Sequence, residues 1–207
     1  MRIIETEADV SEGAEWLADA CPRMAHALSF IGQPPLRRRV DGFPALLQAI
    51  VSQQVSVAAA RGIWNRVEAA GLHCEDAVRA ADEVALRGVG LSRPKARYAK
   101  AIAEARLDYA ALRSLPEAEA VATLTAIKGI GVWTAEIYLM FAVGRADVFA
   151  PGDLALREAA RALYDLPERP PEPELRAMAE AWSPWRAVAA RILFAYYHHV
   201  KGREGAT

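Results

Sequence analysis

The sequence predicts an all-α protein. Ala, Leu, Glu and Arg dominate it, residues that lose little freedom in a helix, and alternating β-branched runs are scarce. Its 207 residues suffice for one large domain or two small lobes, and a 53% hydrophobic share supplies a sizeable core.

Arg2 to Thr6 is the one stretch that could form a short strand. Segment 11–31 reads as one or two helices, and PPLRRR (34–39) then breaks the chain with two prolines and three arginines. Helix 43–53 carries Phe43, Leu46, Leu47 and Ile50 on one face. Ser56 caps a second helix, 57–69, because its hydroxyl can accept from a free first-turn amide, and Gly71 stops it. GVGLSRP (88–94) is a turn, with Ser92 as cap and Pro94 in the first turn of a helix over about 95–106. Pro116 opens another helix, about 116–126. Residues 128–144 form a Gly-rich turn that feeds an apolar helix ending at Gly144. FAPGD (149–153) is a sharp turn with a helix starting at Asp153, and PERPPEPE (167–174) is a loop. SPW (183–185) repeats the cap-then-proline signal and launches the last helix, to about Val200.

The formal net charge of −1 argues against a wholly basic nucleic-acid coat protein but is an average over unlike parts. Residues 87–113 hold Arg87, Arg93, Lys95, Arg97, Lys100, Arg106 and Arg113 against Glu104 and Asp108, a local +5 beside a remainder of −6. Cys21 and Cys74 are too few for a zinc module, a four-cysteine cluster or a disulfide scaffold, which points to a reducing compartment. His198 and His199 are adjacent and cannot share a helical face, so no metal site is expected. MRIIETEADV lacks the apolar core of a signal peptide, and Ile137–Val143 is too short to span a bilayer. A cytoplasmic protein without a membrane partner is expected.

The chemistry concentrates at Leu124-x-x-Ile127-x-Gly129-Ile130-Gly131-x-x-Thr134-Ala135. Two glycines flanking an apolar residue make a tight turn between helices. The first-turn amides of the second helix then lack partners and favour anions, and the missing Cβ atoms let a phosphate approach. A bare Gly-x-Gly is more often a plain helical-hairpin turn; the extended pattern, with Gly129, Gly131 and Thr134, favours a sequence-independent grip on a DNA backbone. The spacing is not a dinucleotide fingerprint, since the third glycine and the preceding strand are missing.

This pattern resembles the helix-hairpin-helix of the DNA base-excision glycosylase superfamily. Asp147-Val148-Phe149-Ala150-Pro151-Gly152-Asp153, WSPWR (182–186) and IVSQQVSVAAA (50–60) are similar to the AlkA-type DNA-3-methyladenine glycosylases. The likeness spans roughly residues 34–200. It implies two helical lobes around a cleft, a core over 41–200 after an N-terminal helical segment (1–40) and before a tail (201–207), and no extra N-terminal β domain. The implied activity is removal of alkylated bases such as 3-methyladenine from double-stranded DNA, by a monomer, without organic cofactor. A monovalent cation at the hairpin carbonyls also follows from the likeness. Glycosylases for deaminated or oxidised bases, and noncatalytic damage-binding modules, can use the same hairpin.

Asp153 takes the place of the family's catalytic aspartate. Cleaving an N-glycosidic bond builds positive charge on the sugar, and a cationic alkylated purine leaves without a strong general acid, so one carboxylate suffices. Read locally, Asp153 is a helix cap, the commonest use of Asp at such a place. The family usually has two adjacent carboxylates here; Gly152 replaces the first. Asp147 reads as a capping or salt-bridge residue. Strand-cutting relatives carry a Schiff-base lysine where this chain has Trp133, which implies a monofunctional enzyme. The Trp133 indole also suits stacking on a cationic base. In the last helix Trp185, Val188, Ala189, Ile192, Leu193 and Tyr196 form one stripe, and Phe194 lies off it, at the place of the family's base-pocket wall. Gln53 and Gln54 sit where the family inserts a wedge into the base stack, Gln54 being preferred. Arg93 and Lys95 open the basic stretch and are expected on phosphates.

Overall fold

The computed structural model describes residues 2–204, and among them twelve α-helices and no named strand. In chain order these are α1 Glu7–Ala20, α2 Pro22–Ile31, α3 Phe43–Ser52, α4 Val57–Ala69, α5 Glu75–Ala80, α6 Glu83–Gly88, α7 Arg93–Ala105, α8 Glu117–Thr125, α9 Val132–Tyr138, α10 Leu154–Leu163, α11 Glu172–Ala179 and α12 Arg186–Glu204. The fold is all-α, and no described helix is long and apolar enough to cross a membrane.

Packing divides the chain into two compact units, and the division does not follow sequence order. One unit joins residues 1–38 to 139–207; the other is 39–138. The N-terminal helices thus belong with the C-terminal ones.

In the first unit α12 is the central element, with α1, α2 and α10 packed on it. Its stripe of Trp185, Val188, Ala189, Ile192, Leu193 and Tyr196 is buried, as the periodicity predicts. Gly13 lets α1 approach closely, since an added Cβ would lie 2.7 Å from both the Trp185 ring and Val188. The expected strand at 2–6 reduces to one antiparallel bridge between Ile3 and Arg145, flanked by the bonds Ile4 N to Gly144 O (2.6 Å) and Ala146 N to Arg2 O (3.1 Å).

In the second unit α3 packs on α4, α7 and α9; α5 and α6 pack on α7, and α8 pairs with α9. Ser56 and Ser92 accept from Ala59 N and Lys95 N, so both predicted caps are present. Gly71 adopts the left-handed φ of 69° expected of a helix stop.

Several elements differ from the reading. α1 starts at Glu7 because Thr6 and Asp9 form a reciprocal capping box. α5 and α6, six residues each, are too short to show a periodic stripe and went unpredicted. α11 begins inside the proline-rich run, since Pro173 falls in a first turn, where no amide is needed. The apolar helix of 132–143 changes at Tyr138 into a π-helical turn, Leu139–Val143. Ser183 does not cap the last helix; a 3₁₀ turn (Glu180–Trp182) precedes it, and its hydroxyl donates to Asp147 Oδ2 at 2.9 Å.

Candidate functional site

The hairpin between α8 and α9 follows from its burial pattern. Ile127 and Ile130 are buried beneath the turn, and Thr134 and Ala135 anchor the first turn of α9. Gly131, Val132 and Trp133 stand exposed between them, Trp133 at 42%. Trp133 is therefore not a core residue, although it sits one turn before core positions. Gly129 is required twice over: its φ is 99°, and an added Cβ would overlap the Tyr98 ring. Gly129→Ala should cost about 3 kcal/mol, from positive-φ strain plus overpacking, read as a lower urea midpoint at unchanged slope.

The two glutamines have different tasks. Gln53 ends α3, and its side-chain amide donates to Gly129 O (3.3 Å) and Thr134 Oγ1 (3.4 Å), which ties this loop to the hairpin. Gln54 is exposed and has a φ of 53°, a conformation a non-glycine residue adopts only when its surroundings impose it. The side chain presented to solvent is thus Gln54.

A further latch in this unit escaped the sequence reading. The Tyr138 hydroxyl donates to Asp41 Oδ1 and accepts from Gly42 N (3.2 Å), while Arg113 lies 3.3 Å from Asp41 Oδ2. Burial, then the bond to Asp41, pushes the Tyr138 phenol above its ordinary range. The latch fixes the end of α9 to the start of α3, and no short-range motif announces it.

Several cations of the basic stretch 87–113 also have partners within the protein. Lys95 donates its ammonium to Val51 O (2.8 Å), closing the end of α3, and burial lowers its pKa. Lys100 donates to Arg79 O (2.8 Å), and Arg93 pairs with Glu83 (3.2 Å) with its side chain 62% exposed. Lys95, one of the cations expected on DNA, clamps the end of α3 in this structure.

In the first unit, Asp153 is the N-cap of α10: its Oδ1 accepts from Ala155 N (2.9 Å) and Leu156 N (3.2 Å). Its own amide donates to Ala150 O (3.0 Å), above the buried run Val148, Phe149, Ala150 and Pro151. The carboxylate is half-buried and held in one orientation. The capping role is therefore real, and it fixes where the carboxylate sits. Gly152 fits because a Cβ there would lie 3.3 Å from Glu172 Oε2, so an aspartate at 152 would meet a like charge. Asp147 is the salt-bridge residue expected: Arg186 Nε is 2.7 Å away, and Arg186 also donates to the Asp147 carbonyl (2.9 Å). Phe194 is half-buried, with the Phe141 ring 6.1 Å from it and Arg37 over it at 5.3 Å. No group of three or more His, Cys, Asp or Glu able to hold a metal occurs among the described residues.

Residues 47–186 match the model of the HhH-GPD superfamily of base excision DNA repair proteins, a stretch that contains the Gln53–Gln54 loop, the hairpin, Asp153 and the start of α12. The chain belongs to this superfamily. Among HhH-GPD relatives, DNA-3-methyladenine glycosylase 1 of Schizosaccharomyces pombe is 32% identical over 163 residues, covering 74% of this chain and 72% of that protein. DNA-3-methyladenine glycosylase 2 of Escherichia coli is 30% identical over 164 residues, and the match spans 56% of its length. The crystal structure of a DNA-3-methyladenine glycosidase from Bacillus halodurans superposes with a TM-score of 0.82 at 32% identity, covering 98% of this chain and 95% of that one. The Schizosaccharomyces pombe 3-methyladenine DNA glycosylase in complex with abasic DNA superposes with a TM-score of 0.77 at 27% identity, covering 92% and 97%.

Proposed function

We infer that this HhH-GPD protein is a DNA glycosylase that flips alkylated bases such as 3-methyladenine out of duplex DNA and hydrolyses their N-glycosidic bond, in base excision repair. The observation that carries this reading is the half-buried Asp153 carboxylate, held by two amides in the turn that follows the hairpin. As the bond breaks, its electron pair goes to the cationic purine, which leaves neutral. The sugar is left with positive charge, which Asp153 stabilises, and a water oxygen then bonds to C1′ and loses its proton. The exposed Trp133 indole stacks on the electron-poor base, and Phe194 walls the pocket. The hairpin amides around Gly131, with Thr134 and Arg93, hold phosphates of the damaged duplex. The protein works as a monomer. A monovalent cation at the hairpin belongs to this reading: Gly129 O accepts one long bond from Gln53, and a carbonyl oxygen has two lone pairs.

Gln54 is the wedge that fills the gap left by the flipped nucleotide. Gln54→Gly should relieve the left-handed strain, raising stability by about 0.5–1 kcal/mol, while lowering single-turnover excision about tenfold. A melting curve and a rate measurement on the same preparation check both signs.

The glycosylase is monofunctional, because Trp133 occupies the position where a Schiff-base amine would be needed and Lys128 lies before the turn. Lesion-containing duplex treated with the protein should stay uncut until heated in alkali, and borohydride should trap no covalent adduct. Strand cleavage before alkali contradicts this. Incubation with alkylated, deaminated and oxidised DNA, with identification of the freed bases, tests the activity and its range together; alkylated purines are the expected product.

A further inference from the structure

A base pocket for cationic purines should avoid positive charge, yet the Phe194 ring carries a guanidinium. Arg37 Cζ lies over it, 5.3 Å from the centroid. The backbone at Arg37 has a φ of 47°, which a non-glycine residue adopts only at a cost. That conformation is fixed from the preceding residue, whose carbonyl, Leu36 O, accepts from the buried Arg191 Nε at 2.9 Å. Arg191 in turn lies over Phe141 at 4.8 Å, and Phe141 flanks Phe194. Two neighbouring rings therefore each bear a cation. Burial first, then the charges of Arg37 and Arg38, lowers the Arg191 pKa to about 10, so a positive field is felt in this region.

An aromatic face attracts a cation through its quadrupole, and a cation already seated there weakens the attraction for a second one. A cationic 7-alkylguanine or 3-alkyladenine meets this reduced attraction plus direct repulsion. A neutral lesion base stacks by dispersion and loses nothing. We propose that Arg37, seated on Phe194, is a specificity determinant that narrows the enzyme's preference for cationic purines over neutral lesion bases. The assignment rests on Phe194 being a wall of the base pocket, as set out above.

The test is single-turnover excision of 7-methylguanine, a cation, and 1,N6-ethenoadenine, a neutral adduct, from otherwise identical duplexes. Arg37→Gln should raise the cationic-to-neutral rate ratio about fivefold, and Arg37→Lys, which keeps the charge, should restore the wild-type ratio. A structural role would move both rates together and leave the ratio unchanged. Phe194→Ala separates the two layers of the argument. Slower excision of both lesions in Phe194→Ala together with an unchanged ratio in Arg37→Gln overturns the assignment of Arg37 alone. Wild-type rates for both lesions in Phe194→Ala overturn the pocket-wall reading and the proposal with it.

Discussion

Asp153→Asn should release methylated bases about 10²–10³ times more slowly than the wild type while melting within about 0.5 kcal/mol of it. The two halves of this expectation have separate causes. Asparagine caps a helix about as well as aspartate, so the bonds to Ala155 N and Leu156 N survive and α10 keeps its start. What is lost is the negative charge opposite the cationic sugar. Asp153→Ala would confuse the two roles, because it removes the cap as well, at about 1 kcal/mol. Affinity for lesion-containing duplex should be retained in Asp153→Asn, since the substitution removes a negative charge and leaves the hairpin untouched. A variant that excises as fast as wild type would make Asp153 a cap and nothing more.

Arg191→Ala should be the most destabilising single substitution among those considered, at about 4 kcal/mol in urea unfolding. The residue is fully buried on α12 and donates to Leu36 O (2.9 Å), Ala187 O (2.8 Å) and Met140 O (3.3 Å). Its guanidinium thus joins the segment before α3, the π-helical turn and α12. Truncation removes the charged donor from each of these carbonyls and leaves a cavity of arginine size. The folded-state pKa of about 10 lies below the unfolded value, so the unfolded chain binds more protons in the alkaline window above about pH 10. Stability attributable to Arg191 therefore rises with pH through that window and is flat near neutrality, where both states are charged. A cost under about 1 kcal/mol would show that these bonds do not hold the unit together.

Local chemistry was legible in the sequence. Ser56, Ser92 and Gly71 act where their types place them, because caps and stops depend on residues within one turn. The stripe of α12 followed from helical period, whereas the same period would put Trp133 on a core stripe with Ile137 and Met140, and only the fold shows it exposed. The hairpin was recognisable from the spacing of Leu124, Ile127, Gly129, Gly131 and Thr134, and the Tyr98 ring against Gly129 adds a reason that only the fold shows. Long-range polar contacts were not legible. Lys95 reads as a surface cation until Val51 O is found beside it, and Asp41 and Tyr138 are far apart in sequence. Arg37 and Arg191 read as ordinary charges, and only folding places them on the Phe194 and Phe141 rings. Gln54 was already preferred over Gln53 in the sequence, but their different surroundings were not legible there: Gln53 is bonded to the hairpin and Gln54 is turned out at φ 53°.

Everything above depends on this chain's breaking the N-glycosidic bond of alkylated bases. It is tested most directly by incubating the protein with methylated duplex DNA and resolving the freed bases by chromatography, with abasic sites counted in the same sample. Free 3-methyladenine is expected, in an amount matched by new abasic sites, with about a hundredth or less of either from Asp153→Asn over the same interval. Tight binding to the methylated duplex with no freed base would contradict it and leave a damage-binding module in its place.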